Sequence, residues 1–386
     1  MARQFRTPDE YQEMIDGFVR ELRGLSERIA QHIDADPPAD AGLIDALCND
    51  VTRRMHPLFS LCSEINAARA AAAPEDADRL TAIEARRGWQ QVTDAANRLR
   101  LTMNHWNAVR NLIADQHPRI ARKLYGDPDR LPDTLNSQRS ATDDLMLLFH
   151  AMFNKHAQDE SARALGCFED IALPNSNFMA HAHAAYRVAL AQRRENPLRF
   201  LDVGCGGGIQ VVSATRIFDR ADGIEYDPGY AAAARAVMDF APALADCTIF
   251  QKDALRFEGY ADYDVVYFYR PMRDVERMHQ LEKRIATCVR PGTILIAPYN
   301  PFWQRHAALG CGHVDGMVYV AGTPQPEADA IREKAERIGP YITRQARPGL
   351  PSIWDPIAAA SRRNGYDFAA NHARPEYPNR PPDAPA

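Results

Sequence analysis

From Thr7 to about Gln116 the apolar residues return every three or four positions. One run holds Tyr11, Ile15, Phe18, Leu22, Leu25 and Ile29; a second holds Ile44, Leu47, Val51, Met55, Leu58, Cys62 and Ile65; a third holds Trp89, Val92, Ala96, Leu99, Met103 and Trp106. That step puts each set on one face of an α-helix. Asp36-Pro37-Pro38 and Ala73-Pro74-Glu75-Asp76 break the pattern, so it predicts three helices folded back on one another as an antiparallel bundle. Pro57 falls inside the second run and is expected to kink or end that helix, because it removes a hydrogen bond and crowds the preceding turn. His117 to Ser140 reads as a connector, followed by an amphipathic helix from about Ala141 to Leu165.

From Arg199 onward short β-rich runs alternate with helical ones, the rhythm of a parallel sheet with crossover helices. Strands are expected at 198–203, 221–225, 248–251, 263–269 and 293–297, then at His313 to Val320 as one strand, with a weaker candidate at Tyr341-Ile342-Thr343. The organisation this implies is a helical bundle domain over 1–165, a linker or lid over 166–197, a sheet domain over 198–346 and a C-terminal extension over 347–386. Its Pro-rich end, Arg374 to Ala386, is expected to be mobile.

With 46% hydrophobic and 25% charged residues among 386, the chain has the composition of a soluble globular protein large enough for two domains. A formal net charge of -5 supplies no global attraction to nucleic acid or to an anionic membrane. Seven cysteines, odd in number and without CxxC pairs, fit neither a disulfide framework nor a structural zinc site. With no apolar signal core near Met1 and no apolar run approaching the roughly 20 residues of a membrane span, a cytoplasmic protein is expected. Arg86, Arg87, Arg98, Arg100, Arg110, Arg119, Arg122 and Lys123 lie near Trp89 and Trp106, which raises an RNA-binding reading. The tryptophans sit in the apolar seam, and a solvated arginine face is favoured over a nucleic-acid site.

The chemistry gathers after the first strand. Leu198 to Val203 runs into Gly204-Cys205-Gly206-Gly207-Gly208, where glycines let the backbone approach a ligand and take positive φ. Asp202, just before the turn, can accept hydrogen bonds from the loop or, through water, from an ammonium group. Ile209 stands where the dinucleotide fingerprint has its last glycine, so the loop alone leaves a dinucleotide-binding or ligand-free Rossmann domain open. About 20 residues on, a second strand ends in Glu225, where a carboxylate can take both ribose hydroxyls. The third ends near Asp253-Ala254 and the fourth at Tyr269-Arg270-Pro271. Strand ends thus collect polar groups at one carboxyl edge, the ligand-binding edge of open α/β sheets.

Phe200 to Gly208, Gly223 to Asp227, Gln251 to Ala254, Tyr263 to Val266 and Arg290-Pro291-Gly292 resemble, in order, the motifs of class I SAM-dependent methyltransferases. The resemblance spans about Leu198 to Pro298 and implies an α/β fold, a Rossmann-like methyltransferase sheet behind an all-α bundle. It implies S-adenosylmethionine as cofactor, with Gly204, Gly206 and Gly208 cradling its methionine part, Asp202 beside them, Glu225 on the ribose and Asp253 with Ala254 at the adenine. Tyr269-Arg270-Pro271-Met272 departs from the pattern of amino-directed nucleic-acid enzymes, the cytosine-C5 nucleophilic cysteine is lacking, and so are the paired glutamates of protein-arginine enzymes. A small-molecule acceptor with an O or N nucleophile is favoured, without nucleic acid or membrane.

Candidate catalytic residues are Tyr269, Arg270 and His306. Tyr269 stands at a strand end; Arg270 either orients an acidic substrate or caps a carboxylate of its own protein; His306 is either a general base or an exposed loop histidine. Asn175 to Phe178 reads as a lid over the cofactor or as a plain helix start. An acceptor pocket is expected between Tyr269-Arg270, the loop Tyr299 to His306 with Trp303, and Asn175 to Phe178. Two rivals stay open: a SAM-binding regulatory or scaffold protein, and aminobutyryl transfer in the manner of nicotianamine synthases, which share the layout of helices before a Rossmann-like domain. The helical region is expected to shape the substrate cavity or to form a homodimer contact.

Overall fold

The computed structural model describes residues 5–35, 40–72, 79–116, 120–125, 133–154, 158–194, 197–240, 244, 246–343 and 353–367. Two compact units divide the chain, the first of residues 1–120 with 346–371, the second of 121–345 with 372–386.

The first unit holds α1 (Pro8–Asp34), α2 (Ala41–Ala71), α3 (Arg79–Asn104), α4 (Trp106–Gln116) and the last helix of the chain, α13 (Asp355–Arg363). Thr7 starts α1 with a reciprocal cap: its hydroxyl accepts from the Glu10 N–H while the Glu10 carboxylate accepts from the Thr7 N–H at 2.7 Å. The apolar seams meet in one core, in which Tyr11, Val51, Leu58, Ile65, Val92 and Trp106 are buried. Pro57 does not end α2, which continues through it, because Leu47 and Val51 before it and Leu58 and Leu61 after it are buried in the same core. The third seam is split at His105, whose Nδ1 bonds the Leu101 carbonyl at 2.9 Å. Trp89 and Trp106 are buried while Arg86, Arg87, Arg98, Arg100 and Arg110 are exposed.

The C-terminal segment closes this bundle instead of extending from the sheet. Trp354 stacks on Trp106 at 5.0 Å and donates its indole N–H to the Thr102 carbonyl at 2.9 Å. Gln116 donates to the Ser361 hydroxyl at 2.8 Å. Arg374 to Ala386 lies outside the described residues.

The second unit begins with α5 (Asp133–Phe153), α6 (Glu160–Ala164) and α7 (Asn175–Ala191). Next come β1 (Arg199–Val203), α8 (Ile209–Ala214), β2 (Arg220–Glu225), α9 (Pro228–Phe240), β3 (Ile249–Gln251), β4 (Val265–Phe268), α10 (Val275–Cys288) and β5 (Ile294–Ile296). It ends with α11 (Asn300–Trp303), β6 (Cys311–Asp315), β7 (Val318–Ala321) and α12 (Gln325–Glu336). The seven strands are ordered β3-β2-β1-β4-β5-β7-β6. The first five are parallel, and β7 runs antiparallel to both its neighbours. His313 to Val320 is therefore a hairpin and not one strand, reversing at Gly316, whose φ is +52. Tyr341 to Thr343 forms no strand; instead the Thr343 N–H donates to the Tyr186 hydroxyl at 3.1 Å.

Successive strand residues serve opposite faces. Phe200, Tyr267, Ile294 and Ile296 pack with Phe178, Met179, Ala182, Ala185 and Ala189 of α7. Leu201, Val203, Val266, Phe268 and Leu295 pack with Met278, Leu281 and Ile285 of α10. Helix α7 thus belongs to the core of the sheet unit, not to a linker, and residues from Leu198 onward lack one of their own covering layers. Among the described residues no helix is long and apolar enough to cross a membrane.

Candidate active site

β1 delivers the chain into Gly204 and Gly206, at φ +80 and +51, a region costly for any residue with a Cβ. This turn aims successive amides at carboxylates: the Gly206 N–H donates to Glu225 at 2.9 Å and the Gly207 N–H to Asp170 at 2.8 Å. Glu225 also accepts the Asp227 N–H at 2.8 Å, which fixes its orientation at the end of β2. Asp170 is held in turn by the Asn154 amide and by His150 Nε2 at 3.1 Å.

Three carboxylates, Asp170, Asp202 and Glu225, therefore crowd one glycine turn. Burial, then the charges of Asp170 and Glu225, drives the Asp202 carboxyl well above the usual range. Burial also pushes Glu225 up to about 7, against the N–H bonds from Asp227 and Gly206. Asp170 acts on His150 in the opposite sense: its carboxylate, 3.1 Å from Nε2, raises the imidazole pKa ahead of the desolvation that opposes it.

These groups line a cavity of about 200 Å³ at the carboxyl edge of the sheet. Asp202, Gly204, Gly206, Glu225, Asp253 and Ala254 border it on one side, and Tyr267, Tyr269, Arg270, Pro271 and Met272 on the other. A strap from Leu165 to Leu173, together with Gln210, Tyr226, Tyr230, Lys252 and Arg277, supplies much of the remaining lining. The strap is clipped to the loop after β4: the Phe168 N–H donates to the Pro271 carbonyl at 3.2 Å, and the Arg273 N–H to the Gly166 carbonyl at 2.7 Å. The guanidinium groups of Arg270 and Arg273 lie 5.5 and 5.2 Å from the centre of the Phe168 ring. Tyr267 is buried against Phe178, and its hydroxyl has no hydrogen-bond partner among the described residues.

A family model described as a methyltransferase domain matches residues 201–297, the stretch that runs from β1 through β5 and includes every strand end bordering the cavity. The sheet carries a class I methyltransferase domain. Among solved structures, the chain is similar to a SAM-bound amino pentose methyltransferase of calicheamicin biosynthesis from Micromonospora echinaspora, at 24% identity over 31% of this chain and 48% of that one, with a TM-score of 0.26. It is similar also to a sugar N-methyltransferase from Streptoalloteichus, at 22% identity over 31% and 48%, TM-score 0.25. A third is an RNA methyltransferase from Salinibacter ruber in complex with S-adenosyl-L-homocysteine, at 21% identity over 35% and 86%, TM-score 0.25. The match spans about half the length of the first two. No curated protein matches the chain.

Within the methyltransferase domain the residues read from the sequence do not all meet. Asp202, Gly204, Gly206, Glu225, Asp253, Ala254, Tyr269 and Arg270 border the cavity; Gly208 and His306 do not. Gly208 opens α8, and a Cβ there would press on Ala234 and the Met238 methyl at 3.1 Å, so it serves the packing of α8 against α9. His306 bonds the Cys311 carbonyl through Nδ1 at 2.7 Å and sits among Trp303, His313 and Tyr319. Tyr299 is buried, its hydroxyl donating to Glu282 at 2.7 Å. Trp303 is exposed and borders no part of the cavity. Phe178 is core, edge-on to Phe200 and Tyr267. The expected three-way pocket is thus not assembled, because the turn after β5 packs toward β6 and β7.

Asp170, Tyr267, Phe168 and Arg277 were not singled out from the sequence. Asp170 lies outside any motif, and Tyr267 stands inside the strand expected at 263–269 beside two more aromatics, Phe268 and Tyr269. The His150–Asp170 pair carries a prediction. A histidine whose pKa is raised on folding contributes stability that is full below its unfolded value of about 6.5 and is lost as pH rises through the folded value. Urea midpoints of the wild type relative to His150→Gln should therefore converge from about pH 6 to pH 8; a constant gap would show that the pair is not an ionic contact.

Proposed function

We propose that this cavity binds S-adenosylmethionine and that the protein transfers its methyl group to an O or N nucleophile, with a small molecule as acceptor. The observation that carries the reading is the charge of the glycine turn. In a dinucleotide site the loop amides face a pyrophosphate; here Gly206 and Gly207 already donate to Glu225 and Asp170, and Asp202 is buried beside them. Three crowded carboxyl groups, two of them raised by burial and by one another, disfavour a further anion and suit a ligand with an ammonium and a sulfonium group, which favours their ionised forms. Bound there, the cofactor supplies an activated methyl carbon.

The chain's own residues then bind, orient and exclude water. Glu225, held by two N–H groups, presents its remaining acceptor capacity to vicinal hydroxyls. Asp253 is oriented by the Leu255 N–H at 2.9 Å beside Ala254. Tyr267 offers its hydroxyl to the cavity, and burial drives its pKa far up, so it acts as a neutral donor and not as a base. Tyr269 and Arg270 at the end of β4 face the acceptor.

Calorimetric titration with S-adenosylmethionine and S-adenosylhomocysteine, with NAD as comparison, tests the reading; tighter binding of NAD would sink it. Hydroxyl donors prefer the ionised form of Glu225, so binding lowers its pKa from about 7. Affinity should then rise with pH through neutrality and fall below it by up to about tenfold per unit. Glu225→Gln should flatten that profile, and Glu225→Ala should weaken binding by about 1.5–3 kcal/mol.

A further inference from the structure

We infer that the acceptor is an anion, a carboxylate or phosphate on an apolar body, held by Arg270 and Arg277, which border the cavity after β4; this rests on the methyl-transfer reading of the same cavity. Two arginines border the cavity against their local preferences. Arg270 has φ +44, a conformation that costs a non-glycine residue, and Pro271 restricts it further. Arg277 stands in the first turn of α10, the positive end of the helix, where a cation is disfavoured.

Apart from the Phe168 ring beneath Arg270, neither cost is offset by an ion pair among the described residues. Among the described residues no carboxylate lies within ion-pair distance of the side chains of Arg270, Arg273 or Arg277. Asp274 is engaged with the Arg277 backbone N–H at 2.8 Å, and Asp253 with the Leu255 N–H. Glu169, exposed on the strap, also borders the cavity. Arg273 adds a third positive charge over Phe168. The cavity thus carries carboxylates at the glycine turn and two guanidinium groups after β4, with Lys252 as a further cation on its lining. Phe168, Tyr269 and Met272 provide the apolar walls between. A planar guanidinium recognises a carboxylate or phosphate by two parallel hydrogen bonds, which would fix the distance from the anionic group to the methylated atom.

The test is calorimetry on the full chain, with and without S-adenosylhomocysteine, using phenyl phosphate, benzoate and uncharged benzyl alcohol at constant ionic strength. Both anions should bind at least about tenfold more tightly than benzyl alcohol. Arg270→Gln and Arg277→Gln should each lower anion affinity at least about fivefold, with Arg270→Lys between. Arg332→Gln, on α12 and away from the cavity, should leave it unchanged. Equal binding of benzyl alcohol, or anion affinity indifferent to both arginine variants, overturns the proposal. A protein that binds S-adenosylhomocysteine but no anion overturns the anion site alone. One that binds the anions but not S-adenosylhomocysteine overturns the cofactor reading alone, and one that binds neither overturns both.

Discussion

Arg187→Met is expected to destabilise the sheet unit by about 3–5 kcal/mol, a large part of the margin of an ordinary domain. The side chain is fully buried in α7. Its guanidinium donates to the carbonyls of Lys123 and Arg122 at 2.8 Å and to those of Glu336 and Ile338 at 3.2 Å. Glu336 is the last residue of α12 and Ile338 lies just past its C-cap, where carbonyls lack helical partners and a cation is favoured. One side chain thus ties the segment before α5 and the end of α12 to α7. Methionine fills much of the space but takes the donor from all four carbonyls; Glu336 keeps the Arg122 N–H at 2.7 Å, and a buried acceptor left unsatisfied costs more than the bond was worth. Arg187→Lys keeps the charge but not the fork and should fall between. Urea denaturation monitored by circular dichroism checks the order; an Arg187→Met midpoint equal to wild type would show that water replaces the guanidinium.

Gly204→Ala should lose both stability and cofactor affinity, whereas Gly310→Ala should lose stability alone. Both glycines have positive φ, +80 and +69, so both substitutions carry a backbone cost of about 1–2 kcal/mol. They differ in surroundings: a Cβ at Gly310 meets nothing within 4 Å, and one at Gly204 lies 2.6 Å from the Pro271 Cβ. That collision must displace the loop carrying Tyr269 and Arg270, and with it the clipped strap. Binding of S-adenosylhomocysteine should weaken at least about tenfold in Gly204→Ala. If the two variants proved alike in affinity, the contact with Pro271 would have no part in shaping the cavity.

What was legible in the sequence is what short-range physics enforces. The three-and-four spacing of Tyr11 to Ile29 requires a helix, and the buried strands separated by helical runs require a parallel sheet, because each pattern has one backbone geometry that buries it. The order of Gly204, Gly206, Glu225 and Asp253 likewise follows from parallel strands, which bring every βα turn to one edge. Asp202, Tyr269 and Arg270 were legible for the same reason, standing next to those turns.

The tertiary structure decided what depends on distant partners. Trp354, more than two hundred residues from Trp106, enters the helical bundle because a groove there is open to any apolar segment, and periodicity does not say which. Phe178 lies in the sheet core and His306 beside Cys311 because packing selects the buried face of a turn, a choice that local sequence leaves open. Asp170 belongs to no motif, yet the fold sets its carboxylate on the Gly207 amide. The sequence by itself therefore determined the elements and the edge of the sheet at which a ligand is met. Only the folded chain decided the charge of that edge, because a carboxylate acts through space over a few ångströms, whatever its separation along the chain.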